Sequence, residues 1–113
     1  MASWRPESVG RFIQQELAEL IRGKVRDPGI GYVTVTNVRV SKDLRSARIY
    51  VSVMGEDEEV QASIEALKRA SSFLRRELGG LMRIRHTPEL HFSLDDSMER
   101  GARIDRILDE LKE

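Results

Sequence analysis

His86 and His91 are the only imidazoles in this 113-residue chain, and no cysteine is present to join them. A zinc-type site needs three or four donors that local structure can bring together. An i,i+5 pair astride Pro88 does not offer that, so no metal is expected. Asp95-Asp96 could meet a hard cation, but adjacent carboxylates ahead of a helix more commonly cap it. There is no Gly-rich phosphate loop followed by Lys and Ser or Thr, which leaves nucleotide hydrolysis unsupported. None of the serines has a recognisable base and oxyanion setting. The expectation is therefore a binding protein with no catalytic residue and no cofactor.

The chemistry that remains is cationic. Lysines and arginines number 19, as do the acids, for a formal net charge of zero. The field near a surface follows local charge rather than the sum, and the local charge is uneven. Residues 1–53 carry +4, residues 54–67 carry −5, residues 68–85 carry +5 and residues 86–113 carry −4. The positive block holds Lys68, Arg69, Arg75, Arg76, Arg83 and Arg85 against Glu77 alone. Fifteen of the cations in the chain are arginine, the side chain suited to bidentate phosphate contacts and to stacking on bases. A basic stripe of this kind points to a nucleic-acid backbone. The plainer alternative is a solvated helix face whose arginines pair with the acids at 56–59.

The elements that position this block follow from periodicity. Residues 6–23 predict an amphipathic helix, with Pro6 in its first turn and Gly23 at its stop. A turn-rich loop follows at Arg26-Asp27-Pro28-Gly29-Ile30-Gly31. Tyr32 to Val40 reads as a strand whose alternation slips phase, which predicts a bulge near Thr36-Asn37. A turn around Ser41-Lys42-Asp43-Leu44 joins it to a second strand, with Ala47, Ile49, Val51 and Val53 on one face. From about 58 to 79 the chain is helical, and Val60, Ile64, Leu67, Leu74 and Leu78 share a face. Phe73 falls off that stripe, so a kink at Ala70-Ser71-Ser72 is expected, turning Phe73 toward the core. Such a kink would leave N–H groups free near Ser71 and Ser72, where a helix dipole favours phosphate. Gly79-Gly80 closes the segment, Leu90, Phe92 and Leu94 mark a third strand, and a last helix is expected over about 97–112. The order is α-β-β-α-(kink)-α-β-α, an α+β layer with helices on one face of a three-stranded mixed sheet. One domain over 1–113 is expected, with its core at about 6–96.

Several short runs resemble bacterial ribosome-binding factor A across nearly the whole chain. They are Asp27-Pro28-Gly29-Ile30-Gly31, Val33-Thr34-Val35-Thr36-Asn37-Val38, Val40-Ser41-Lys42-Asp43-Leu44 and Ala47-Arg48-Ile49-Tyr50-Val51-Ser52-Val53. Three more follow, Ala70-Ser71-Ser72-Phe73-Leu74-Arg75-Arg76-Glu77-Leu78, Arg85-His86-Thr87-Pro88-Glu89-Leu90-His91-Phe92 and Asp95-Asp96-Ser97. Each is short, and together, in this order, they are specific. The resemblance implies a type II KH-like fold and a role in maturation of the small (30S) ribosomal subunit and its 16S rRNA, with a place in cold adaptation. KH domains clamp RNA with a GxxG loop; this chain has none, and the family's Ala-x-Gly helix kink falls on Ala70-Ser71-Ser72, with Ser72 in place of Gly.

The leading reading is an assembly factor that binds the free small subunit through rRNA. Its expected contacts are Lys68, Arg69, Ser71, Ser72, Arg75, Arg76, Arg83 and Arg85, with Lys42 and Arg45 from the hairpin turn and Lys24 and Arg26 from the earlier loop. The competing reading is a protein-interaction adaptor that meets a ribosome-associated partner through its acidic surfaces. No apolar run approaches the roughly 18 residues a membrane span needs, and no secretory h-region is found at the N-terminus. A soluble, cytoplasmic monomer is expected.

Overall fold

The computed structural model describes residues 5–23, 29–82, 84 and 86–95. Helix α1 spans Pro6–Gly23, and its ladder opens with the Val9 N–H donating to the Arg5 carbonyl at 2.9 Å. Pro6 costs nothing here because the first-turn N–H groups have no helical partner anyway. Val9, Ile13, Leu17, Leu20 and Ile21 form its buried stripe. Gly10 belongs to that stripe for a steric reason: a Cβ there would stand 3.1 Å from the Val38 carbonyl oxygen.

Strands β1 (Tyr32–Val40) and β2 (Ser46–Met54) pair antiparallel. Val35 faces Val51 and Asn37 faces Tyr50, which leaves Thr36 as the extra residue of a bulge. The bulge resets the alternation, so that Val33, Val35, Val38 and Val40 all pack toward the helices. This is the phase slip seen in the sequence, located to the residue.

Helix α2 runs from Asp57 to Leu81 as one continuous element of 25 residues. The kink expected at Ala70-Ser71-Ser72 does not interrupt it, and the free N–H groups expected there are absent. Two local facts explain the difference. The Ser71 hydroxyl donates to the Lys68 carbonyl at 2.8 Å, so its hydrogen bonding is met without opening the ladder. Ala70 packs against the core and fills the gap in the stripe between Leu67 and Leu74. Phe73 stays on the outer surface, 37% exposed. The helix also ends slightly later than Gly79-Gly80, with the Met82 N–H donating to the Leu78 carbonyl at 2.9 Å.

Strand β3 (Glu89–Leu94) lies parallel to β2, pairing Leu90 with Ala47 and Phe92 with Ile49, in the sheet order β1-β2-β3. A parallel pair needs a crossover, and α2 supplies it. Val35, Ala47, Ile49, Val51, Leu90 and Phe92 meet the stripes of both helices in one core. The result is an α+β layer of two helices on one face of a three-stranded mixed sheet. The C-terminal helix expected over 97–112 lies outside the described residues.

Candidate nucleic-acid interface

The β1–β2 turn forms one wall of the site. The Leu44 N–H donates to the Ser41 carbonyl at 2.9 Å, and Leu44 has φ 61°, the one positive φ outside glycine among the described residues. That conformation costs an L-residue about 1–2 kcal/mol. It is offset by Leu44 packing on the core and by a local network. The Ser41 hydroxyl donates to Asp43 Oδ1 at 2.6 Å, and the same oxygen accepts the Arg45 N–H at 3.1 Å. The Ser46 N–H donates to Ser41 Oγ at 3.1 Å. The Ser41 hydrogen bond first, and the Arg45 N–H second, hold the Asp43 carboxyl below its ordinary range. The turn is thereby stiff, with Lys42 and Arg45 exposed on it.

The second half of α2 forms the opposite wall. Lys68, Ser72 and Arg75 or Arg76 recur at i, i+4 and i+7 or i+8, one face of a helix, and all are exposed. Arg75 has a further task. Its Nε and Nη2 donate to the Thr87 carbonyl at 3.0 and 2.8 Å, which fixes the chain just before buried Pro88 and β3. Gly79 allows Thr87 to lie close, since a Cβ at that position would stand 2.9 Å from Thr87 Oγ1. The Glu89 N–H in turn donates to the Arg45 carbonyl at 2.9 Å. Hairpin turn, β3 entrance and α2 thus converge.

Two adjoining clefts result. One, of about 540 Å³, is lined by Asp43, Arg45, Ser46, Arg75, His86, Thr87 and Glu89. The other, of about 320 Å³, lies between α2 and the outer edge of β3, lined by Ser71, Ser72, Arg75, Glu89, Leu90 and His91. Arg75 and Glu89 border both, so the clefts form one groove. The small side chains at Ser71 and Ser72 are what keep its α2 side open.

Of the residues expected to bind RNA, the groove brings together Ser71, Ser72, Arg75 and Arg45. Lys68, Arg69, Arg76 and Lys42 are exposed on the same two elements but do not line it. Lys24, Arg26, Arg83 and Arg85 lie outside the described residues. Sequence reasoning missed Thr87, Glu89 and His91 as groove residues. The available signal was Pro88, which starts a strand and so puts its neighbours at an element boundary. His91 does alternate to the exposed side of β3, 3.7 Å from Glu89. Among the described residues, no group of three or more His, Asp or Glu is placed to hold a metal, and no helix is long and apolar enough to cross a membrane.

Among the described residues, the groove has cations on two sides and the outer edge of β3 between them, with Asp43 and Glu89 also in its lining. Its exposed cations and open strand edge could hold a phosphate backbone and present bases to the strand.

Comparison with known proteins identifies the family. The family model described as ribosome-binding factor A matches residues 5–108. A ribosome-binding factor A from Thioalkalivibrio sulfidiphilus is 49% identical over 105 residues, covering 93% of this chain and 81% of that protein. The crystal structure of ribosome-binding factor A from Thermus thermophilus superposes with a TM-score of 0.70 at 30% identity, over 80% of this chain and 97% of the other. Coordinates of the Thermus thermophilus factor fitted into a cryo-EM map of its complex with the 30S subunit give a TM-score of 0.63 at 32% identity, over 77% and 91% of the two chains. This chain belongs to the ribosome-binding factor A family.

Proposed function

We propose that this protein is a ribosome assembly factor that binds the free small (30S) subunit through 16S rRNA and assists maturation of that rRNA in the cytoplasm. One observation carries the reading. The β1–β2 turn, the α2 residues Ser71, Ser72 and Arg75 and the outer edge of β3 line one groove, with Arg45 on one wall and Arg75 on the other. Phosphate contacts from Lys68, Arg76, Lys42 and Arg45 would set position, and the edge of β3 would meet the bases. The mechanism is positional: binding energy favours one rRNA conformation over another, with no covalent step. The Thermus thermophilus relative fitted into a 30S complex supports the choice of partner.

Co-sedimentation with free small subunits and with assembled ribosomes, in rising salt, tests the reading. Retention on the free small subunit alone is expected, falling steeply with salt. The double variant Lys68→Glu/Arg76→Glu should weaken retention at least tenfold and flatten the salt dependence by about 0.7–0.9 for each phosphate no longer neutralised. Arg75 is left out of this variant because it holds Thr87. Unchanged retention of the double variant would place the RNA on another face.

A further inference from the structure

The helices cover one face of the sheet, and the other face has its own chemistry. On it, Arg39 stands directly opposite Arg48, and Arg48 pairs in register with His91, a row across all three strands. The next row is Asn37, Tyr50 and Ser93. Arg48 Nη1 donates to Ser93 Oγ at 2.8 Å, which lays the guanidinium toward the Tyr50 row. A shallow concavity of about 310 Å³ has Arg39, Arg48, Tyr50 and His91 in its lining. At the far end Tyr32 pairs with Met54, and they are 83% and 76% exposed.

Two like charges directly opposite on neighbouring strands destabilise a sheet, and no side-chain acid relieves Arg39 or Arg48 among the described residues. The acids nearby are engaged elsewhere: Glu89 lies 3.7 Å from His91, and Asp95 Oδ2 accepts the Thr36 hydroxyl at 2.5 Å. A pair of unneutralised arginines flanking a tyrosine ring is the combination that holds a single strand, with phosphates on the cations and a base on the ring. A duplex would offer that ring no unstacked base.

We propose that this open sheet face is a second nucleic-acid surface, which takes a single-stranded RNA segment across Arg39, Arg48 and Tyr50. The inference rests on reading the chain as an RNA binder, but on Arg39, Arg48 and Tyr50, none of which lines the α2 groove.

The test uses a labelled, uridine-rich single-stranded RNA of about a dozen nucleotides, spanning one such surface, in fluorescence anisotropy across a salt series. Arg39→Gln/Arg48→Gln should weaken binding at least tenfold and lower the salt slope by about 1.4, two phosphates at 0.7 each. Its melting temperature without RNA should equal or exceed that of the parent, because a repulsive pair is removed. Tyr50→Leu should weaken binding about five- to hundred-fold and leave the salt slope unchanged. If both sheet variants bind the oligonucleotide as the parent does, while Lys68→Glu/Arg76→Glu loses binding, the inference is overturned and the groove reading stands. A parent chain that does not bind the oligonucleotide also overturns it, and leaves the groove to be judged by sedimentation. Sheet variants that bind RNA normally but lose subunit retention would assign the face to a protein contact, again overturning the inference.

Discussion

The two halves of α2 contrast in what their exposed and buried residues do. From Asp57 to Leu67 the helix is anchored: Glu56 and Glu59 form a reciprocal capping box, and Ile64, Ala66 and Leu67 are buried. Buried Ser63 extends the anchoring to the preceding loop, accepting the Gly31 N–H at 3.0 Å and donating to the Gly29 carbonyl at 3.2 Å. Its acids, Asp57, Glu58 and Glu59, lie in the first turn, where the helix dipole favours them. From Lys68 onward only Leu74 and Leu78 are fully buried, and the outward face holds the cations and the small residues that shape the groove. One end holds the helix to the sheet, and the other presents a surface. A continuous helix makes this division possible, because a well-anchored first half positions the second.

The largest expected effect tests the anchoring half. Leu67 is fully buried, so Leu67→Ala should cost about 2–5 kcal/mol, from lost burial and the cavity left behind. Urea unfolding measures it. Retention on the small subunit, measured where the variant is still folded, should match the parent. A loss of retention under those conditions would mean that the two halves are not separable.

A smaller effect tests the presenting half. Arg75→Ala removes two hydrogen bonds to the Thr87 carbonyl. Arg75 is exposed, so the cost should be only about 1 kcal/mol. The informative readout is hydrogen exchange at the Glu89 amide, which donates to the Arg45 carbonyl and should exchange faster as the entrance to β3 loosens. Arg75→Lys keeps the charge but cannot make the bidentate contact. If it restores slow exchange, charge rather than geometry holds this junction.

Some of this is legible in the sequence, for identifiable reasons. Helix α1 and the β1 bulge are readable because each leaves a local trace: a stripe bounded by Pro6 and Gly23, and a phase slip at Thr36. The expected kink fails because Phe73 needs no bend to account for it. An exposed aromatic costs a helix little, and Ala70 already completes the stripe. The basic block and the hairpin cations are visible as charge, but their convergence is not. It depends on the Arg75–Thr87 and Arg45–Glu89 contacts, between residues 12 and 44 positions apart, which no local pattern announces. Leu44 at positive φ is equally hidden, since the turn tolerates it through a side chain that reaches the core and a network around Ser41.

The smallest expected effect concerns the opposite wall of the groove and extends the contrast from α2 to the turn that faces it. Asp43 has its pKa lowered from the usual 3.8, first by the Ser41 hydroxyl and then by the Arg45 N–H. A carboxyl whose folded pKa lies below its unfolded value stabilises the fold above the unfolded value, and that contribution is lost as pH falls through the folded one. The melting temperature of Asp43→Ala should therefore sit slightly below that of the parent near neutral pH, and the gap should close as pH drops below about 3.8. Because Asp43 is fully exposed, solvent screens the interaction and the gap should be small. Subunit retention of the same variant at neutral pH gives the sharper reading. If the turn acts as a stiff wall, retention should fall even though the substitution removes a negative charge from the surface proposed to meet phosphate. If retention instead rises, charge outweighs stiffness in this turn, and the network around Ser41 serves the fold rather than the groove.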